Sequence, residues 1–322
     1  MSGPPASPPA RPRLRPGGPF QPMPGTPGKS RTAALSIASN SALIILKVVA
    51  GVLTGSVAIV TEAVHSSIDL MASLVAYFSI RKAEEPADAS HPYGHEKVEN
   101  LAAALEGVLI VLGAAIIIYE AVRRLGNPPE LDHLAVGIAV IAFSVVVNLI
   151  VSTVLYRRAA ATGSPALEGD AAHLRTDAFT SIGVLVALVL VATTGVQELD
   201  AAVALAVAVA IVFTGVRLVT RSSRVLVDEA LPEDEMREVA DAIRSYGADE
   251  VIGFHKLRAR RAGSSRYIDM HVQFRRGTSL ERAHQLSHEL QQAIRERVRD
   301  ADVLIHLEPE DAASRGPTSD RP

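Results

Sequence analysis

Two short stretches place an imidazole and a carboxylate four residues apart: His65 and Asp69 in TEAVHSSID, and His173 and Asp177 in DAAHLRTD. Each also carries an acid three residues before its histidine, Glu62 and Asp170. Helix positions three and four apart share one face, so each stretch presents an acid–His–Asp stripe. Two imidazoles and two carboxylates from two such helices suit a tetrahedral divalent cation such as zinc. The sequence contains no cysteine, which excludes disulfides and thiolate sites. Any metal must then be held by His, Asp and Glu, which excludes copper(I) and favours zinc or its neighbours. Glu62 and Asp170 share the stripes and are expected to orient a ligand or to carry a proton beside it.

The elements that must position these residues are membrane segments. The 322-residue chain is 48% hydrophobic but only 4% aromatic, with no Trp, and its mean hydropathy is +0.23. The apolar content lies in long Ala, Val, Leu and Ile blocks, which is the membrane signature. Six spans are expected, at about 33–54, 56–81, 98–123, 131–156, 171–196 and 199–220. Short turns at Gly55 and 195–198 and longer loops at 82–97 and 157–169 join them. Arg31, Arg81, Lys82, Lys97, Arg157, Arg158, Arg221 and Arg224 then fall on one side with both termini, and that side is expected to be cytoplasmic. Arg123 and Arg124 fall on the other side and count against the rule. With this orientation His65 and Asp69 lie roughly 14 and 20 Å below the outer end of the second span, at 1.5 Å per residue. His173 and Asp177 lie in the inner half of the fifth, so the two pairs can meet near mid-depth. An ionisable residue at that depth is costly and marks function. Glu106 and Asn148 also lie in spans; Asn148 reads as a contact between helices, and the role of Glu106 is open.

Outside the membrane blocks the chain reads differently. Residues 1–30 are rich in Pro and Gly with scattered Arg and no apolar leader region, and are expected to be a disordered arm. From Val225 a soluble α+β domain is expected, with the pattern αββαβ of a ferredoxin-like or metallochaperone-like unit. A helix at 233–246 precedes strands at 250–261 and 265–275, joined by a turn at 262–264. Ser279 can cap a helix to about Arg299, and 302–308 is the last strand. In the second strand Ile268, Met270, Val272 and Phe274 alternate with Tyr267, Asp269, His271 and Gln273, so His271 lies on the polar face. Residues after Asp311 are expected to be a disordered tail. The net charge of −3 argues against a nucleic-acid partner.

The chain resembles the cation diffusion facilitator family of metal exporters over about 32–309. The resemblance rests on the two HxxxD pairs in the second and fifth spans, on HPYGHEKVEN after the second span and on LVDEALP at the membrane exit. It also rests on GFHKLR, DMHVQF, AHQL and IHLEP in the soluble part. It implies a six-helix transmembrane bundle with a cytoplasmic α+β domain, a homodimer in a lipid bilayer, and export of Zn²⁺ or a similar ion in exchange for protons. It implies a transport site at His65, Asp69, His173 and Asp177, and a weaker loop site at Asp88, His91 and His95. His255, His271, His284, His306 and Glu308 match soluble-domain ligands, where zinc helps to hold two subunits together; Glu308 stands where many members have Asp. Lys97 and Asp228 match a charge interlock between subunits. The expected place is the bacterial inner membrane. The family's His-rich loop between the fourth and fifth spans is absent.

Simpler readings stand beside these. Asp88, His91 and His95 could be a solvated loop, His288 could be an accessory ligand one turn from His284, and His133 lies near an outer loop with no assigned role. The sequence has no nucleotide-binding motif, so ion gradients and not ATP are expected to drive transport, and no organic cofactor is implied. Metal binding displaces protons from its ligands, and His titrates near neutral pH. The rival reading is a membrane-anchored metal sensor working through its soluble domain. It does not need ionisable residues inside the bilayer.

Overall fold

The computed structural model describes residues 28–54, 57–124, 134–196 and 198–310. The side chains of Glu62 and His65 lie outside the described residues, as do residues 1–27 of the arm, the turn at Gly55, His133 and the tail; the last residues of the expected arm instead open the first helix, where Lys29 is buried against Glu99. Six long helices come first: α1 (Lys29–Thr54), α2 (Val57–Ala83), α3 (Lys97–Arg124), α4 (Leu134–Thr162), α5 (Pro165–Thr194) and α6 (Glu198–Leu226). Among the described residues, five of them, α1 and α3 to α6, are long and apolar enough to cross a membrane. α2 runs for 27 residues, about 40 Å at 1.5 Å per residue, and carries Glu62, His65 and Asp69 along its length. Val52, Leu53, Ile116, Phe143, Val209 and Phe213 are exposed on the outside of the bundle. In water such a surface would be costly; facing lipid it is not.

The fifth helix differs from its expectation. In place of a loop over 157–169, α4 continues to Thr162 and α5 starts at Pro165, leaving Gly163 and Ser164 between them. Gly163 supplies the left-handed turn with φ 64°. The Ser164 hydroxyl accepts from the Leu167 amide at 3.3 Å, and Pro165 takes the first helical position. Glu168, Gly169 and Asp170 lower the local hydropathy, but the cap extends the helix through them. His173 therefore sits two turns inside α5. At the far end Gly195, with φ 72°, closes the helix by donating its amide to Val191.

Small residues let the helices approach closely. α3 and α6 cross at Gly107 and Gly215, where a Cβ on Gly215 would come within 2.9 Å of the Gly107 carbonyl. Ile110 and Ala114 of α3 pack on Ile211 and Leu218 of α6 beside that crossing. A second core joins Ile80 of α2, Leu155 of α4 and Leu167 and Leu174 of α5.

Beyond α6 the chain forms α7 (Glu233–Arg244), β1 (Val251–Ala262), β2 (Ser265–Phe274), α8 (Leu280–Arg297) and β3 (Ala301–Pro309). The order αββαβ is the expected one. The strands lie in the order β1-β2-β3, with β1 antiparallel and β3 parallel to β2. Ile268, Met270, Val272 and Phe274 of β2 are buried with Leu286, Leu290 and Ile294 of α8 and Val239 and Ile243 of α7. Ser279 caps α8, accepting from the Arg282 amide at 3.2 Å. Both helices cover one face of the sheet, so the alternate residues of β2, His271 among them, face away from that core.

The β1–β2 turn docks on the end of the helical bundle. The Gly263 amide donates to Asn100 Oδ1 at 2.9 Å, and the Ser265 hydroxyl donates to Glu96 Oε1 at 2.7 Å. Buried Lys29 pairs with Glu99 at 3.1 Å and donates to the Ser264 hydroxyl at 3.1 Å. Glu99 also accepts from Ser164. Those bonds satisfy polar groups that burial would otherwise penalise.

Candidate metal centres

α2 and α5 run side by side and bring Asp69, His173 and Asp177 together, their nearest donor atoms all within 4.8 Å of one another. His173 Nε2 lies 3.3 Å from Asp69 Oδ1 and 3.9 Å from Asp177 Oδ2. The side chains are only 9, 11 and 19% exposed for His173, Asp69 and Asp177. Asp177 follows His173 by one turn on the same face of α5, as the spacing requires. His65 precedes Asp69 by four residues on α2, and its side chain lies outside the described residues. One imidazole between two carboxylates in a nearly dry site is a donor set suited to a borderline divalent ion.

A second cluster lies between α2 and α3. Asp88 Oδ1 is 3.3 Å from His91 Nδ1, Asp88 Oδ2 is 3.3 Å from His95 Nε2, and the two rings are 4.4 Å apart. His95 is buried while Asp88 and His91 are exposed. Asp88 also accepts from the Ser90 hydroxyl and from the backbone amides of Ser90 and His91 at 2.7 to 2.8 Å. The Ser90 hydroxyl and the His91 amide hold its carboxyl well below the usual range. The segment is thus a hydrogen-bonded turn with Asp88 committed to its own backbone.

The third cluster crosses the open face of the sheet. His255 of β1 is in register with His271 of β2, and His271 with His306 of β3, so three histidines form one row across three strands. Glu308, two residues on from His306, points to the same face. His255 Nε2 is 3.0 Å from Glu308 Oε2, His271 Nδ1 is 2.5 Å from Oε1, and His306 Nε2 is 3.8 Å from Oε1. Burial pushes the Glu308 carboxyl up, but the His271 hydrogen bond and the charges of His255, His271 and His306 outweigh it, and the net shift is down. Just after His255 the β1 register shifts, and Lys256 takes φ 50°, a bulge that re-aims the neighbouring side chains. His255, His271 and Glu308 bring donor atoms within 4.8 Å of one another and fit a resident zinc ion, whereas His306, 64% exposed and 3.8 Å from Glu308, stands at the edge of the row outside that group.

His284 stands elsewhere: it is exposed on α8 with its Nε2 3.2 Å from that of His288. Within one chain it joins its helical neighbour and is not among the donors grouped at the sheet. Lys97 and Asp228, expected to lock two subunits, pair within one chain at 2.7 Å, and Arg260 joins Asp228 at 3.1 Å. The Arg260 guanidinium lies over the Tyr267 and Tyr93 rings, 4.8 and 5.7 Å from their centroids. The Tyr267 hydroxyl donates to the Tyr93 carbonyl at 2.9 Å, and burial pushes its pKa up to about 12.

Lys47, Ser36 and Ser73 are among the buried polar groups of the bundle that were not singled out as part of any site from sequence. Lys47 Nζ donates to Ser66 at 2.7 Å, next to His65 in sequence. Asp170 accepts from Ser36 and Ser73. A lysine in the middle of an apolar block was a signal; lone serines on a helix give none. Asn148 Oδ1 is buried without a hydrogen-bond partner.

A bundle of apolar helices with a buried carboxylate–imidazole triad, carrying a small α+β domain, defines a membrane protein that handles metal cations. The Cation efflux transmembrane domain matches residues 33–227, and the Cation efflux protein cytoplasmic domain matches residues 231–310. The chain belongs to the cation efflux, or cation diffusion facilitator, family, a family of membrane transporters. Among its relatives, the transporter sll1263 of Synechocystis is 37% identical over 277 residues, 86% of this chain and 89% of that protein. The cation-efflux pump FieF of Yersinia pestis is 35% identical over 280 residues, 87% of this chain and 92% of its own. A solved structure of CzrB in its Zn form is 31% identical and covers 26% of this chain and 93% of that one, with a TM-score of 0.25.

Proposed function

We propose that this protein exports Zn²⁺ from the cytoplasm in exchange for protons. The ion binds at His65, Asp69, His173 and Asp177 between α2 and α5, with α2 as the sixth span. The observation that carries this reading is the Asp69–His173–Asp177 triad, largely buried within a bundle of apolar helices. Two carboxylates balance a divalent ion when both imidazoles are neutral. The same ligands must lose protons to bind it, so protons and metal compete for one site. An inward proton gradient then drives metal outward as the bundle rocks between its two openings. The Yersinia relatives are cation-efflux pumps, which supports the outward direction.

In this reading residues 31–224 form the transport domain and 225–310 the cytoplasmic domain, with an arm at 1–30 and a tail at 311–322. The protein works as a homodimer in the bacterial inner membrane with both termini in the cytoplasm. His255, His271, His306 and Glu308 hold a structural zinc at the subunit contact, while His284, paired with His288 on α8, would serve only across that contact. Asp88, His91 and His95 hold a second, weaker ion. Lys97 and Asp228 brace the membrane exit. Fe²⁺, Mn²⁺, Co²⁺ and Cd²⁺ are the competing cargoes.

The test is metal flux into proteoliposomes under an imposed proton gradient, with each of these ions offered alone and in competition. Zinc should accumulate and protons should move the opposite way. No gradient-dependent flux of any ion would favour a membrane-anchored sensor.

A further inference from the structure

Glu106 of α3 and Asp170 of α5 are two carboxyls that metal coordination does not use. Both are fully buried. Neither oxygen of Glu106 has a hydrogen-bond partner, and Asp170 Oδ2 has none. Glu106 fills the space beside Gly169: a Cβ at Gly169 would collide with its carboxyl group, lying 3.1 Å from Cδ, and would come within 3.3 Å of Ala103 Cα. The absent side chain at 169 thus makes room for an acid one residue from Asp170. A carboxylate in an apolar bundle with no donor around it carries a large desolvation penalty, and a proton removes it.

The surroundings of Asp170 give a count of protons. Its Oδ1 lies 3.0 Å from the Ser36 hydroxyl and 2.9 Å from that of Ser73, and the two hydroxyls are 2.9 Å apart. Three oxygens at hydrogen-bond distance have three edges, but two hydroxyls supply two hydrogens. Asn40 donates to Ser73 at 2.9 Å and adds nothing to the triangle. With both hydroxyls donating to Asp170 Oδ1 the Ser36–Ser73 edge has no hydrogen; a proton on Asp170 Oδ1 supplies it, since Asp170 then donates to Ser36, Ser36 turns to Ser73, and Ser73 donates back to Asp170. Residues of α1, α2 and α5 are thereby tied through one proton.

We propose that Glu106 and Asp170 form a proton-holding site for the exchange, one helical turn from the transport site and built from residues that do not bind metal. This inference rests on the exchange reading above. The ionisable group that acts on both acids is His173 on α5, whose own partners are Asp69 on α2 and Asp177 on α5. α1 meets it with Ser36 and Asn40, and α6 borders α3 at the next residue, Gly107, with Gly215 and Val219. Asp170 precedes His173 by three residues, about 4.5 Å along the axis, on the side of the Pro165 end of α5. When a divalent cation enters between α2 and α5, its field favours breaking the O–H bond of a carboxyl one turn away, and the proton leaves to the cytoplasmic water. When the cation departs, the carboxylate takes a proton back. Loss of the Asp170 proton also opens the Ser36–Ser73 ring, which couples proton release to the packing of α1 on α2 and α5.

The test uses the full-length protein in liposomes, with zinc and pH indicators, and the near-isosteric variants Asp170→Asn and Glu106→Gln. The wild type should release protons as zinc enters. In each variant the slope of log apparent zinc affinity against pH should fall by about one, the loss of one linked proton, while zinc still binds. Infrared difference spectra of the wild type should show a protonated-carboxyl band that vanishes on adding zinc and is altered in both variants. A wild type that moves zinc without protons would overturn the exchange reading. A wild type that couples the two, with variants of unchanged slope or no protonated-carboxyl band of its own, would overturn the assignment of Glu106 and Asp170 alone.

Discussion

The triad between α2 and α5 and the histidine row on the sheet use the same donor chemistry, imidazole with carboxylate, in opposite settings. The triad side chains are 9 to 19% exposed and come from two separate helices. The sheet donors range from 14% exposed at Glu308 to 64% at His306, and adjacent strands fix them at a spacing of about 4.8 Å. Helices whose polar ties depend on titratable groups, as Asp69–His173 and Ser73–Asp170 do, suit a site that takes up and releases an ion. A hydrogen-bonded sheet holds its donors in place, so a site upon it suits an ion that stays. Burial points the same way: removing a ligand leaves an uncompensated charge in the dry site, but only a wet gap in the exposed one.

The sharpest way to break this comparison is Asp69→Ala or Asp177→Ala. Each removes one of two anions from a low-dielectric site, and zinc flux should be abolished while the protein stays folded. Flux above about a third of wild type in either variant, from a site where ligand loss should cost tenfold or more, would remove the triad from the transport path. A second, smaller effect tests how the membrane site chooses its ion. His65→Asp replaces a borderline nitrogen with a hard oxygen and adds a third carboxylate, which should raise flux of the harder Mn²⁺ and the larger Cd²⁺ relative to Zn²⁺. Uptake of the three ions into inside-out vesicles at several pH values measures it. An unchanged ratio with flux intact would show that His65 does not set selectivity.

The sheet cluster should behave differently. Replacing His271 and His306 by Ala should weaken zinc-dependent association of subunits and leave transport partly active. Analytical ultracentrifugation of the protein in detergent, with and without zinc, reads the first, and vesicle flux the second. Equal association with and without zinc in the unmodified protein would dissolve the distinction between an ion that stays and one that passes.

Much of this contrast was legible in the sequence, for reasons specific to each element. Period two in β2 placed His271 opposite Ile268, Met270 and Val272, and the sheet keeps that alternation. The HxxxD spacing forced His173 and Asp177 onto one face of a helix. What hydropathy could not supply was the start of α5, because Glu168 and Asp170 are polar while the helix is set by the Ser164 cap and Pro165. That error put Asp170 one residue outside the fifth span, when it lies inside the bundle against Ser36 and Ser73. The place of His284 was likewise beyond spacing arguments, since nothing local says which neighbour a helix face meets. The role of Glu106 depends on Gly169, 63 residues away in sequence, and no periodicity links the two.

The smallest expected effect belongs to the junction between the two regions. Asp228 pairs with Lys97 and Arg260, and the Lys97 hydrogen bond, with the Arg260 charge, holds its carboxyl below its ordinary value of 3.8. A carboxyl depressed in the folded state adds stability that is fully present above its unfolded pKa and is lost as pH falls through the folded one. The brace should therefore be constant from pH 5 to 8 and fail only under acid conditions well below those in which histidines titrate. The Asp228 side chain is half exposed, so screening keeps each of its pairs near the 0.2–1 kcal/mol typical of exposed ion pairs. Asp228→Asn should lower the melting temperature slightly at low salt and by less at high salt, where exposed charges are screened. Calorimetry of the full-length protein at pH 5, 6.5 and 8 checks this: the difference between variant and wild type should be the same at all three. A difference that grows between pH 8 and 5 would mean that a histidine, and not Asp228, governs the junction. Metal-linked titration would then reach from the sheet into the membrane helices, and the two regions would act as one site.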